Sequence, residues 1–106
     1  MVRQVKSMDE FKQLVNTADK TVFVDFFAKW CGPCKTIAPE FERLSGQHAA
    51  CIFFKVDVDE VEEAAESYDV QSLPTFIVFK NGKKVDSMVG GSKEALERFV
   101  AKHTAA

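Results

Sequence analysis

Residues 21–35 place the sharpest constraint on the fold. Thr21-Val22-Phe23-Val24-Asp25-Phe26-Phe27-Ala28 is a nearly continuous apolar run. It reads as a strand buried on both faces, the signature of a central parallel strand. After Trp30 the apolar period changes from 2 to 3.6, with Cys34, Ile37, Ala38, Phe41 and Leu44 on one helical face. A buried strand feeding directly into an amphipathic helix belongs to an α/β protein. Cys31 and Cys34 stand at that junction.

The remaining chain repeats the alternation. Val2 to Lys6 is a short candidate strand. Ser7 and Glu10 form a capping box, with Glu10 reaching back, for a helix with Phe11, Leu14, Val15 and Ala18 on one face. Pro33 fits the first position of the second helix. Pro39 should kink that helix, and Gly46 lies near its end. Cys51 to Val58 is a third strand. Asp59 and Glu62 give an acidic start to a helix carrying Val61, Ala64, Ala65 and Tyr68. Thr75 to Lys80 is a fourth strand, and Asn81-Gly82 turns it into a fifth, Lys83 to Val89. Gly90-Gly91 breaks the chain. Ser92 caps a last helix with Leu96, Phe99 and Val100 inward, and the tail beyond His103 should fray. The order is βαβαβαββα in one domain, residues 1–106. The alternation implies right-handed parallel crossovers, with the hairpin adding one antiparallel strand.

Composition excludes several functions. Formal net charge is −2 over 106 residues, so there is no basic footprint for nucleic acid. No apolar run approaches the ~20 residues of a membrane span. Met1 to Lys6 lacks an apolar signal core. Three cysteines argue against a disulfide-stapled scaffold and for a reducing compartment, so the expected location is the cytoplasm.

The two junction cysteines are unequal. Cys31 lies at a helix N-terminus, where unpaired N–H groups and the helix dipole stabilise a thiolate. Cys34 falls on the apolar face and should be the more buried. Their spacing allows a disulfide. Cys31 is therefore read as the attacking thiol and Cys34 as the resolving one. Gly32 lets a substrate backbone approach, and Pro33 rigidifies the turn. Asp25, alone inside an apolar strand, should be desolvated, with its pKa raised toward the range of an acid/base. The plainer alternative is a structural aspartate bonded to nearby backbone.

Other polar features read more plainly. Cys51 is a small buried hydrophobe or a regulatory thiol. His48 and His103 lie near helix C-termini, where they can meet the last carbonyls. The acids Asp57, Asp59, Glu60, Glu62, Glu63, Glu66 and Asp69 form a solvated face or, less simply, a dock for a basic surface. Cys31, Cys34, His48 and Cys51 could also be spaced for a structural zinc. A helix of about four turns stands between the two pairs, which weighs against it.

Trp30-Cys31-Gly32-Pro33-Cys34-Lys35, Val24-Asp25-Phe26 and Leu73-Pro74-Thr75-Phe76 together resemble the thioredoxin family. The resemblance covers essentially the whole chain, through Lys80-Asn81-Gly82-Lys83 and Val89-Gly90. It implies a central mixed five-stranded sheet flanked by four helices. It also implies a protein-disulfide reductant that binds no cofactor or metal and works through a Cys31–Cys34 disulfide. Electrons would come from NADPH through a thioredoxin reductase. The partners implied are that reductase and disulfide-containing client proteins, with the protein a monomer. Asp25 would serve Cys34 as general base, with Lys55 as its charge partner. Pro74 would be cis and set against the cysteine pair, leaving the Leu73 backbone free to pair with an extended substrate. Trp30, Leu73, Val89 and Gly90 would form an apolar contact rim. A redox-dependent binding regulator of the same fold is the alternative.

Overall fold

The computed structural model of the chain describes residues 2–105. Its elements run β1 (Arg3–Val5), α1 (Met8–Val15), β2 (Thr21–Phe27), α2 (Gly32–Gln47), β3 (Ile52–Asp57), α3 (Glu62–Ser67), β4 (Thr75–Lys80), β5 (Lys83–Val89) and α4 (Lys93–Thr104). The strands form one sheet in the order β1-β3-β2-β4-β5.

The central place of β2 explains its composition. Val22 to Phe26 are all buried, because helices cover both faces. Strand alternation sorts these residues. Val22, Val24 and Phe26 join Phe11, Phe54 and Phe79 in one core. Phe23 joins Ile37, Phe41, Leu96 and Phe99 in the other, under α2 and α4. Asp25 is two residues beyond Phe23 and so shares the face covered by α2.

The direction of β4 corrects the sequence expectation. β1 and β2 lie parallel to β3, but β4 is antiparallel to β2, with Phe26 opposite Thr75 and Thr21 opposite Lys80. The third connection is not a full crossover: its helix α3 has only six residues, rising about 9 Å, and β4 starts at the end of the sheet where β3 stopped, with Thr75 opposite Phe26 and Asp57 opposite Phe27.

Smaller departures have local causes. α1 ends at Val15, and Ala18 lies exposed in the following turn. Asn16 Nδ2 donates to the Lys12 carbonyl at 2.8 Å and Thr17 Oγ1 to that of Leu14 at 2.9 Å, closing the helix. Ser7 Oγ accepts from the Glu10 N–H as the capping box requires, but Glu10 reaches one residue further back, to the N–H of Lys6. α3 starts at Glu62 rather than Asp59, with Val61 as its N-cap. Pro39 lies inside α2, as the sequence pattern placed it. Glu40 is buried on the same helix, because Arg43 pairs with Glu40 and also reaches Glu97 of α4 at 2.8 Å. The helix α4 runs past His103. Thr104 Oγ1 donates to the Val100 carbonyl, while Lys102 and His103 bind Asp86 of β5 at 3.3 and 2.8 Å.

Candidate functional site

The site forms where β2 gives way to α2. Cys31 is the N-cap of α2, and its Sγ accepts a hydrogen bond from the Cys34 N–H at 3.2 Å. That donor is one of the amides a helix start leaves unpaired, and a sulfur carrying negative charge gains most from it. Cys31 and Cys34 are joined in a disulfide, with Cα atoms 5.3 Å apart. Helix α2 begins at Gly32, so Pro33 is its second residue rather than its first. In that first turn its missing N–H still costs no hydrogen bond. Nothing lies within 4 Å of where a Gly32 side chain would start, so the approach above the turn is open.

Burial separates the cysteines only slightly: Cys31 is 5% exposed and Cys34 3%. They differ in what they face. Cys31 lines a groove of about 420 Å³ with Trp30, Gly32, Pro33, Val58, Val70, Gln71 and Leu73. Cys34 lines a separate cleft of about 280 Å³ with Asp25, Phe27, Ala28, Lys29, Lys35, Ala38 and Lys55. The disulfide joins one lining residue of each.

Asp25 is 2% exposed. Burial lifts its pKa to about 7, against the pull of the Lys55 ammonium. Lys55 is its register neighbour on β3. The two form no ion pair among the described residues, and the Lys55 Nζ lies 5.4 Å from the centre of the Phe27 ring. The Asp25 Oδ1 has no hydrogen-bond partner among the described residues, which disfavours the plain structural reading of this carboxyl.

The Leu73–Pro74 peptide is cis. Pro74 is fixed from the far end of the hairpin, its carbonyl accepting from the Gly90 N–H at 2.9 Å. Gly90 has φ 113°, which a side chain would strain. Val89 is 60% exposed and lies opposite Thr75. A side chain on Gly91 would come within 3.3 Å of Pro33, so this loop packs beside the cysteine turn. Trp30 and Leu73 line the groove, while Val89 and Gly90 lie outside its lining. Sequence reasoning missed Val58, Val70 and Gln71. They sit in the connections flanking α3, where no period marks an inward face.

Trp30 is 72% exposed. Its indole Nε1 donates to Asp59 Oδ2 at 2.9 Å, so Asp59 orients the tryptophan rather than starting a helix. His48 is the C-cap of α2, bonding through its N–H to the Leu44 carbonyl. His103 binds Asp86 instead of a helix carbonyl. Cys51 is a half-buried free cysteine whose thiol pKa burial pushes up. The zinc arrangement fails geometrically. Residues 35–47 of α2 stand between Cys34 and His48, roughly 20 Å of helix, and no three candidate ligands cluster among the described residues.

A strand-to-helix junction that holds a disulfide over an open groove defines a thiol–disulfide exchange protein. The sequence profile of the thioredoxin family matches residues 2–102. Thioredoxin-2 of Saccharomyces cerevisiae is 46% identical over 101 residues, covering 95% of this chain and 97% of the yeast protein. Thioredoxin 1 of Plasmodium falciparum is 46% identical over 105 residues, covering 99% and 100%. A solved structure of Plasmodium falciparum thioredoxin superposes with a TM-score of 0.94 at 45% identity, covering 97% of this chain and 100% of that one. The chain belongs to the thioredoxin family. It is a dithiol protein-disulfide reductase. Its redox centre is the Cys31–Cys34 pair rather than a prosthetic group, and its electrons come from NADPH through thioredoxin reductase. Among the described residues, no helix is long and apolar enough to cross a membrane.

Proposed function

We propose that Cys31 is the attacking thiol, Cys34 the resolving thiol and Asp25 the proton acceptor for Cys34. In the reduced protein the Cys31 thiolate attacks one sulfur of a client disulfide. The other client sulfur leaves as a thiolate, and a Cys31–client mixed disulfide forms. Cys34 then gives its proton to the Asp25 carboxylate, and its sulfur attacks the Cys31 sulfur. The bond to the client breaks, the second client sulfur leaves, and the Cys31–Cys34 disulfide remains. Two electrons have passed to the client.

The observation that carries this reading is the separation of the pair between two clefts. Cys31 faces the groove a polypeptide can enter, while Cys34 shares a narrower cleft with Asp25. An acid whose pKa is about 7 is charged in roughly half the molecules at neutral pH, which suits taking up and releasing a proton. Lys55 tunes that value. Gly32 and Pro33 shape the turn, and Pro74 leaves the Leu73 backbone to pair with an extended client segment. Trp30, Leu73, Val89 and Gly90 form the contact rim. The reading includes action as a monomer in the reducing cytoplasm, which the sparse cysteine content supports.

Exposure of single-cysteine variants to a disulfide-containing client tests the roles. Cys34→Ser is expected to accumulate a mixed disulfide at Cys31, and Cys31→Ser is expected to form none. Accumulation on Cys34 in the Cys31→Ser protein would reverse the assignment.

A further inference from the structure

The cleft beside Asp25 has features that proton exchange alone does not require. Its floor includes the apolar groups of Phe27 and Ala38, and its rim carries three cationic side chains, Lys29, Lys35 and Lys55. None of the three lysines forms an ion pair among the described residues. One carboxyl oxygen of Asp25, a side chain that is nine-tenths buried, has no hydrogen-bond partner there. A pocket combining an apolar floor, unpaired cations and one buried group able to donate a hydrogen bond matches a small anion with an apolar tail.

We propose that this cleft binds small amphipathic monocarboxylates. The ligand carboxylate would lie between the Asp25 carboxyl and the lysine ammonium groups, and its short tail on Phe27 and Ala38. A volume of about 280 Å³ falls just below the usual range of ligand pockets, which limits the class to short chains.

The proposal has a built-in pH dependence. Only protonated Asp25 can donate to the ligand; once ionised it repels an anion. Burial raises the Asp25 pKa to about 7, so the donor form persists where a short carboxylic acid is already ionised. The charged groups facing Asp25 are Lys55 from β3, Lys35 from the first turn of α2 and Lys29 from the loop before it. Cys31 and Cys34 are paired in the disulfide and do not titrate. All three charged neighbours are cations.

Sodium butyrate added to the oxidised full-length protein tests this, followed by nuclear magnetic resonance, with acetate and chloride as comparisons. Because turnover is not read, the outcome is independent of the roles assigned to the cysteines. At pH 6, saturable shifts are expected at the cleft residues and not at Val70 or Gln71 of the other groove, with butyrate binding more tightly than acetate. Above the pKa of Asp25 the affinity should fall about tenfold per pH unit, since binding is then linked to uptake of one proton. Reciprocally, butyrate should raise the Asp25 pKa. Asp25→Asn, whose amide still donates, should bind equally at pH 6 and pH 8. The double variant Lys29→Gln, Lys35→Gln should bind several-fold more weakly. Absence of saturable shifts, equal shifts with chloride, or a pH-independent affinity in the parent protein would overturn the proposal.

Discussion

Replacing Asp25 with asparagine isolates the cost of the buried carboxylate. In the folded protein the Asp25 pKa rises from the ordinary 3.8 to about 7, with burial as the main cause. A raised pKa means that the folded state holds the proton more tightly than the unfolded chain. Below about pH 4 both states are protonated and Asp25 costs nothing electrostatically. As pH rises, the unfolded chain ionises first, and stability falls until the folded carboxyl ionises as well. At ~1.36 kcal/mol per unit of displacement, the penalty reaches about 4 kcal/mol above pH 7. Asparagine cannot ionise, so the stability of Asp25→Asn relative to the parent should grow by about 1.4 kcal/mol per pH unit between pH 4 and pH 7 and then level off. Any fixed difference between an amide and a carboxylic acid shifts this curve without changing its slope. Urea unfolding of both disulfide forms across pH 4 to 8 measures it directly. A stability difference that stays flat with pH would show that Asp25 is solvated or paired in the folded state, and would remove the basis for its role as a proton acceptor.

Three other perturbations test the frame around the site. Phe11 is fully buried and meets the rings of Phe26, Phe54, Tyr68 and Phe79; Phe11→Ala should lower the unfolding free energy by ~3–5 kcal/mol in chemical denaturation. Asp59→Ala removes the acceptor of the Trp30 indole. Both groups are exposed, so stability should change by less than about 1 kcal/mol, while fluorescence anisotropy of the single tryptophan should fall as its side chain loosens. In Arg43→Met, Glu40 loses the guanidinium that holds its pKa at about 2. A depressed folded pKa stabilises above the ordinary carboxylate range and is lost as pH falls through it toward 2. The parent should therefore show a steeper stability loss on that acid limb than the variant does.

Legibility in the sequence followed how local each determinant was. The course of β2 could be read because burial on both faces leaves a continuous apolar run. The start of α2 could be read because the apolar period changes within a few residues. The buried ionisable group at Asp25 stood out for the same reason, as one charge in a strand with no other. The end of α1 was hidden, because Asn16 and Thr17 close the helix through side-chain bonds that compete with a period continuing to Ala18. The role of Asp59 was hidden too, since an acid before a helix is also what an N-terminal cap looks like. Its bond to Trp30 spans 29 residues, beyond any local pattern. The division of the cysteines between two clefts depends on loops flanking α3 that carry no period.

The direction of β4 bears most on function. Counting alternating elements makes the third crossover parallel, which would start β4 beside Thr21. Leu73 and Pro74 would then lie at the far end of β2, a seven-residue strand about 20 Å long, remote from the cysteines. The antiparallel pairing sets Thr75 beside Phe26 instead, so the cis Leu73–Pro74 peptide arrives at the end of β2 where α2 begins. The hairpin then returns β5 to the same end, where the Gly90 N–H bonds the Pro74 carbonyl and Gly91 packs on Pro33. The antiparallel return of β4 is therefore what brings the proline, the glycine pair and the cysteine turn together, and a parallel β4 would take the site apart.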